Sequence, residues 1–291
     1  MYLWVTNLPE KDDQEMKLAK TAIIIFGLIS LFGDIIYEGA RSSIPTFLKL
    51  LAAPAVIVGL AIGLGEFLGY SLRLVSGYVA DTTKAYWALT IIGYCLIISI
   101  PLLALTNNWQ IAVVLIILER IGKAVRTPAR DTLISVTTKA IGRGKAFGLH
   151  ELFDQIGATL GPLIMALTVY ILTKRGVSEL DMFKTAFTIL FIPYMVLVFV
   201  LMYGYGKMKK PVAEALTSVE GGAKEKLPGT VYLYSIAVLL NTAGLFHIAL
   251  ILYLATGIMT NILWFVPILY LIAQGIDAVS APLSGSAYDR Y

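Results

Sequence analysis

The sequence predicts an all-α membrane protein, a bundle of about eight helices each long enough to cross a bilayer. Three observations predict it. Hydrophobic residues make up 58% of the chain and charged residues only 14%, against roughly 45–50% and 25% in soluble domains, and the mean hydropathy is +0.79. Apolar runs of about 20 residues, the length a helix needs to span the hydrocarbon core, recur with polar or Gly/Pro punctuation between them. Lys and Arg gather in alternate loops, as they do in multi-pass proteins that obey the positive-inside bias.

The spans are expected at residues 19–48, 54–77, 85–105, 109–128, 146–172, 183–205, 231–255 and 262–284. The fourth is the least apolar, because its clean run, Ile111–Leu118, is interrupted by Glu119 and Arg120. Such a helix is tolerated where neighbouring helices shield it. Basic residues crowd one set of loops: Lys17 and Lys20, Lys84, then Lys123 through Lys145, and Lys207 through Lys226. The other set carries only Lys49, Lys174, Arg175 and Lys184. This places the N-terminus and the even-numbered loops in the cytoplasm, in a multi-pass protein of the cell membrane.

Residues 1–18 read as a cytoplasmic N-terminal segment, 19–205 as a six-helix bundle, 206–228 as a cytoplasmic linker, and 229–291 as a partial second bundle of two helices. The linker follows from the longest polar stretch of the chain, which holds KMKKP, TSVEGG and KEK. A weak internal repeat supports the division. Ser76-Gly77-Tyr78-Val79-Ala80-Asp81 ends the second span and Ser284-Gly285-Ser286-Ala287-Tyr288-Asp289 ends the eighth, both reading S-G-x-x-x-D. Parallel repeats of this kind occur in transporters.

Several function classes are excluded. The lone cysteine, Cys95, allows neither an intrachain disulfide nor a thiolate metal site. His150-Glu151 begins like a zinc-protease motif, but Asp154 stands where the second His is needed, and P-loop, Rossmann and Ser/His/Asp patterns are absent. No enzyme activity, cofactor, metal or nucleic-acid partner is expected. The N-terminal residues lack an apolar core followed by a small-residue cleavage site, so no signal peptide is expected.

Intramembrane charges cost about 2.5–3.5 kcal/mol each at mid-span on insertion scales, which makes them candidate functional groups. Asp34, Glu38 and Arg41 recur at i, i+4 and i+7 in the first span, with Ser30 and Tyr37 alongside. Two readings fit the stripe: a substrate or proton site with Arg41 as counter-ion, or an ion pair that anchors the helix. Arg120 falls near the middle of the fourth span and needs a carboxylate. Glu119 points about 100° away on a helix, leaving Glu66, Asp34 or Glu38 as partners. Tyr270, Gln274 and Asp277 share a stripe of the eighth span, where Pro267 and Pro282 can bend the helix. His247 stands alone in the seventh span, on a different face from Asn241. Gly157 and Gly161 continue the face of His150 and Asp154, and expose backbone for close helix approach, with Pro162 next to them. Gly59, Gly63, Gly65 and Gly69 read as plain packing positions.

These segments resemble the major facilitator superfamily of secondary transporters. GYVADTTKAY (Gly77–Tyr86) resembles its loop two-three signature through Gly77, Asp81 and Lys84, with Thr82 where a basic residue is usual. Arg120 with Gly122 resembles the fourth-helix signature, and Gly157–Pro162 the fifth-helix G-x-x-x-G-P. The resemblance implies a complete N-terminal six-helix half plus the first two helices of the C-terminal half. Four helices of a full member would then lie outside the chain, through a short form, an interrupted gene or a fragment.

The resemblance also implies roles. Arg120 would serve substrate binding or proton coupling, and Gly157, Gly161 and Pro162 a hinge. Gly77, Asp81, Lys84, Arg126 and Arg130, with Gly285, Asp289 and Arg290 in the repeat, would form the cytoplasmic gate. The function expected is transport of a small solute by alternating access, as proton-coupled export in the manner of an antiporter. The alternative is a non-transporting membrane protein, a scaffold or gene fragment.

Overall fold

A computed structural model of the chain describes residues 8–217, 229, 233, 236–237 and 247–288. Among these residues the structure is helical and contains no strand. In chain order the helices are α1 (Leu8–Leu50), α2 (Ala55–Thr83), α3 (Tyr86–Cys95), α4 (Trp109–Thr137), α5 (Arg143–Lys174), α6 (Glu179–Ile189), α7 (Phe191–Thr217), α8 (Ile248–Ile258) and α9 (Phe265–Tyr288). The third span is completed by 3₁₀ turns at Leu96–Ser99 and Pro101–Leu105, and α6 with α7 forms the sixth.

Local chemistry sets the boundaries. Asn108 caps α4, its side chain accepting from the backbone N–H of Gln110 at 2.8 Å and Ile111 at 3.3 Å. Ser178 caps α6, with Glu179 and Asp181 in the first turn where the helix dipole favours acids. Lys84 closes α2 in the left-handed conformation.

Among the described residues, five helical segments are long and apolar enough to cross a membrane: Asp13–Leu50, Ala55–Thr83, Tyr86–Leu105, Gly144–Lys174 and Glu179–Thr217. α4 is as long as α2 but too charged to join them, and Glu119, Arg120 and Arg126 on it are buried in the bundle. Two shorter apolar segments, Ile248–Ile258 and Phe265–Ile276, belong to the seventh and eighth spans.

The seventh span was expected over residues 231–255; in the structure His247 is extended (φ −71°, ψ 129°) and α8 starts after it. Asn241 lies outside the described residues. The linker was expected over residues 206–228; α7 runs to Thr217, and residues 218–228 lie outside the described set.

α1 is the central helix, and α5 runs along it with the two backbones in contact. A Cβ added at Gly161 would lie 3.0 Å from Gly39 Cα, and one at Gly157 would lie 2.5 Å from Leu31 O. No larger residue fits either position without separating the helices. The helix continues through Pro162. Phe47 meets Phe187 edge-on at 5.0 Å, and Phe26 stacks on Trp87 at 5.6 Å. α8 and α9 dock on α1 through polar contacts: Thr46 to Thr256 at 2.7 Å, Lys49 Nζ to the Tyr253 carbonyl at 3.1 Å, and the Tyr270 hydroxyl donating to Glu38. Apolar side chains such as Val56, Phe67 and Leu74 on α2 and Phe199 on α7 face outward, as lipid contact demands.

Candidate functional site

The charges expected along the first span meet those of three other helices at one carboxylate. Arg41 on α1 donates to Glu66 Oε1 on α2 at 2.7 Å and to the Tyr37 hydroxyl at 2.8 Å. Arg120 on α4 reaches the same Glu66 oxygen at 3.4 Å and donates to the Tyr37 hydroxyl at 3.1 Å. His247, at the start of α8, completes the group. Its Nδ1 accepts from the Ala249 N–H at 3.1 Å, as an N-cap does. The proton of the neutral ring therefore sits on Nε2, 3.7 Å from Glu66 Oε1. Within α1, Glu38 is 3.6 Å from Arg41 and accepts from Tyr270 on α9. Glu38 and Arg41 of the first-span stripe are thus paired mainly across helices and only secondarily with each other.

Two residues read differently in three dimensions. Glu119, expected to point away from Arg120, lies buried with one oxygen 3.6 Å from Arg120 Nε and the other 3.4 Å from Arg126. The side chains are long enough to bridge the 100° offset. Gly65, read as a plain packing glycine, faces Arg120: an added Cβ would lie 3.1 Å from its Cγ. Gly59 meets the Leu250 side chain, whereas Gly63 and Gly69 have no packed neighbour among the described residues.

Below this cluster along α4 lies a polar cavity of about 300 Å³, lined from α1 through α5. It includes Asp34, Lys123, Arg126, Arg130 and Asp154, together with Tyr70 and Arg73 from α2. No Leu, Ile, Val, Met or Phe lines it among the described residues. Arg126 is buried, donating to the Gly93 carbonyl at 3.3 Å. Arg130 donates to Asp131 at 2.9 and 3.0 Å and reaches Ser30 and the Tyr94 hydroxyl. Both were expected at a cytoplasmic gate; in the structure α4 stays helical past them to Thr137 and both line the cavity. His150 faces Asp154 at 3.4 Å.

The remaining candidates are dispersed. Asp81 is exposed and accepts from the Tyr86 hydroxyl at 3.1 Å. Gly77 lies against Pro128, an added Cβ being 3.6 Å away, and Lys84 is the C-cap of α2. Gln274 is half-buried on α9, one turn beyond Tyr270. Asp277 and Gly285 continue α9, with their side chains outside the described set; Asp289 and Arg290 lie outside the described residues. Among the described residues, no group of three or more His, Cys, Asp or Glu side chains is arranged to hold a metal ion.

Arg73, Lys123 and His247 were not singled out as site residues from the sequence. Two of them carry a helical signal. Glu66, Tyr70 and Arg73 stand at i, i+4 and i+7, and Arg120, Lys123, Thr127 and Arg130 at i, i+3, i+7 and i+10. Each set is one face of a helix. For His247 no local signal exists, since its role depends on where α8 begins.

Comparison with known proteins agrees with this architecture. Uncharacterized proteins of Mycobacterium bovis and Mycobacterium tuberculosis are 35% identical over 277 residues, 92% of this chain and 66% of theirs. The chain thus spans just under two thirds of the length of these relatives. An uncharacterized MFS-type transporter of Methanocaldococcus jannaschii is 30% identical over 165 residues, 56% of this chain and 41% of that protein. The multidrug resistance protein MdtH of Photorhabdus laumondii is 30% identical over 119 residues, 40% of this chain and 29% of that protein. A solved bacterial homologue of the human drug peptide transporters PepT1 and PepT2 shares the fold, with a TM-score of 0.52 and 16% identity over 90% of this chain and 53% of that one. Residues 24–291 match the Major Facilitator Superfamily. The chain therefore belongs to the major facilitator superfamily and is a multi-pass membrane protein.

Proposed function

We propose that the chain serves a secondary transporter that carries a small solute across the cell membrane by alternating access, coupled to protons and working in export, with the N-terminus cytoplasmic. The observation that carries this reading is the Glu66 cluster beside the polar cavity. Charges from α1, α2, α4 and α8 converge inside a bundle whose outer face is apolar. Charges buried at such cost mark solute or ion pathways in membrane proteins. Asp34, which has no cation partner among the described residues, is a carboxyl group that can take up and release a proton, and Arg41 and Arg120 are fixed cations paired with Glu66. Family membership supports transport as the class of activity. The name of the MdtH relatives, the fifth-helix motif and the buried acids support export driven by a proton gradient. The distribution of Lys and Arg supports the orientation.

The test is flux in reconstituted vesicles under an imposed pH gradient, comparing the parent chain with Arg120→Ala and Asp34→Asn. The expected result is gradient-dependent flux in the parent and its loss in both variants. A parent that moves no solute under any gradient would sink the reading.

A further inference from the structure

The polar cavity holds charges that the protein itself leaves without partners, and they define what it accepts. Four cations line it, and two are already engaged: Arg126 by Glu119 and Arg130 by Asp131. The other two are Arg73 on α2 and Lys123 on α4. Among the described residues, neither cation has a hydrogen bond or ion pair. Arg73 lies over the Tyr70 ring at 4.8 Å with its Nε buried and unpartnered, and Lys123 Nζ lies over the Tyr37 ring at 3.8 Å. The acids divide in the same way. Glu38 is held by Tyr270 and Arg41. Asp34 has no hydrogen bond or ion pair among the described residues, and Asp154 gives one oxygen to His150 while Oδ1 stays buried and unpartnered. A cavity with two free cations at α2 and α4 and free carboxylate oxygens at α1 and α5 is complementary to a solute with charges of both signs. Its lack of aliphatic lining removes the surface that a lipophilic drug would need.

We propose that this cavity binds a small, hydrophilic, amphoteric solute, with its anionic group on Arg73 and Lys123 and its ammonium at Asp34 and Asp154. Unpaired buried polar groups are costly in the empty protein and are relieved by such a ligand. The Tyr37 and Tyr70 rings hold the two cations in place by cation–π contact until the anion arrives. The volume of about 300 Å³ is at the small end of ligand pockets, which suits a solute of amino-acid size. This assignment rests on the transporter reading for its purpose but not for its chemistry.

The experiment measures thermal shift and calorimetric Kd on the full chain in detergent. The probes are L-glutamate, O-phosphoethanolamine, glutarate (glutamate without its ammonium) and tetraphenylphosphonium. Glutamate or phosphoethanolamine is expected to bind saturably and more tightly than glutarate, with no saturable binding of tetraphenylphosphonium. Arg73→Gln and Lys123→Gln should each weaken binding by about tenfold or more, while Lys123→Arg, which keeps the cation, should restore most of it. Asp34→Asn should bring glutamate to the level of glutarate.

The proposal is overturned if neither amphoteric probe binds, if both Gln variants bind as the parent does, or if tetraphenylphosphonium binds in their place. Binding with this pattern but without flux in vesicles would overturn transport and leave the cavity assignment standing. Flux of a lipophilic cation untouched by Lys123→Gln would do the reverse.

Discussion

The Glu66 cluster and the cavity beneath it are built from the same kinds of residue, yet they differ in how their charges are satisfied. Around Glu66, Arg41 and Arg120 each have a carboxylate and a tyrosine hydroxyl within reach, and His247 both caps its helix and faces the acid. In the cavity, Arg73, Lys123 and Asp34 have neither hydrogen bonds nor ion pairs among the described residues. Removing one partner of a buried pair strands the other, whereas removing an unpaired charge strands nothing. The first region therefore answers to mutation through stability as well as flux, and the second chiefly through ligand binding.

Five variants break or sharpen that contrast. The largest effect is expected from Glu66→Ala, which leaves two guanidinium groups without their shared carboxylate and should lower stability by about 3 kcal/mol or more, seen as a fall in Tm in detergent. Gly161→Val forces a side chain against Gly39 and should cost about 1–3 kcal/mol by overpacking, read in the same melting experiment. Preservation of the parent Tm in this variant would show that α1 and α5 do not meet through backbone. His247→Ala removes the cap of α8 and should cost about 1 kcal/mol, while His247→Asn, which still caps, should recover most of the loss. Hydrogen exchange at the start of α8 separates the two variants. Lys123→Gln should change stability by less than about 0.5 kcal/mol, because no acceptor loses its donor. A loss as large as that of Glu66→Ala would mean that Lys123 is a structural cation, and the contrast would collapse.

The sequence carried the helices well because lipid imposes a simple requirement of length and apolarity. Even α4, whose interrupting charges made it the least apolar span, was located, and those same charges explain its burial. The first-span stripe of Asp34, Glu38 and Arg41 was legible from the 3.6-residue period. Its partners were not, since whether Arg41 turns to Glu38 or to Glu66 depends on how α2 packs on α1. Lys123, Arg126 and Arg130 were counted with the cytoplasmic basic residues from their charge, and nothing in the sequence showed that α4 carries them onto one polar cavity. The start of α8 after His247 was hidden because residues 231–255 are predominantly apolar, and apolarity alone does not reveal a cap.

One oxygen of Glu66 is approached by donors from three helices: Arg41, Arg120 and His247. A carboxylate oxygen offers two lone pairs, so three grips cannot all be firm together. Tightening any one of them slackens another. This shared contact is consequently a point of exchange between α1, α4 and α8, and not a rivet.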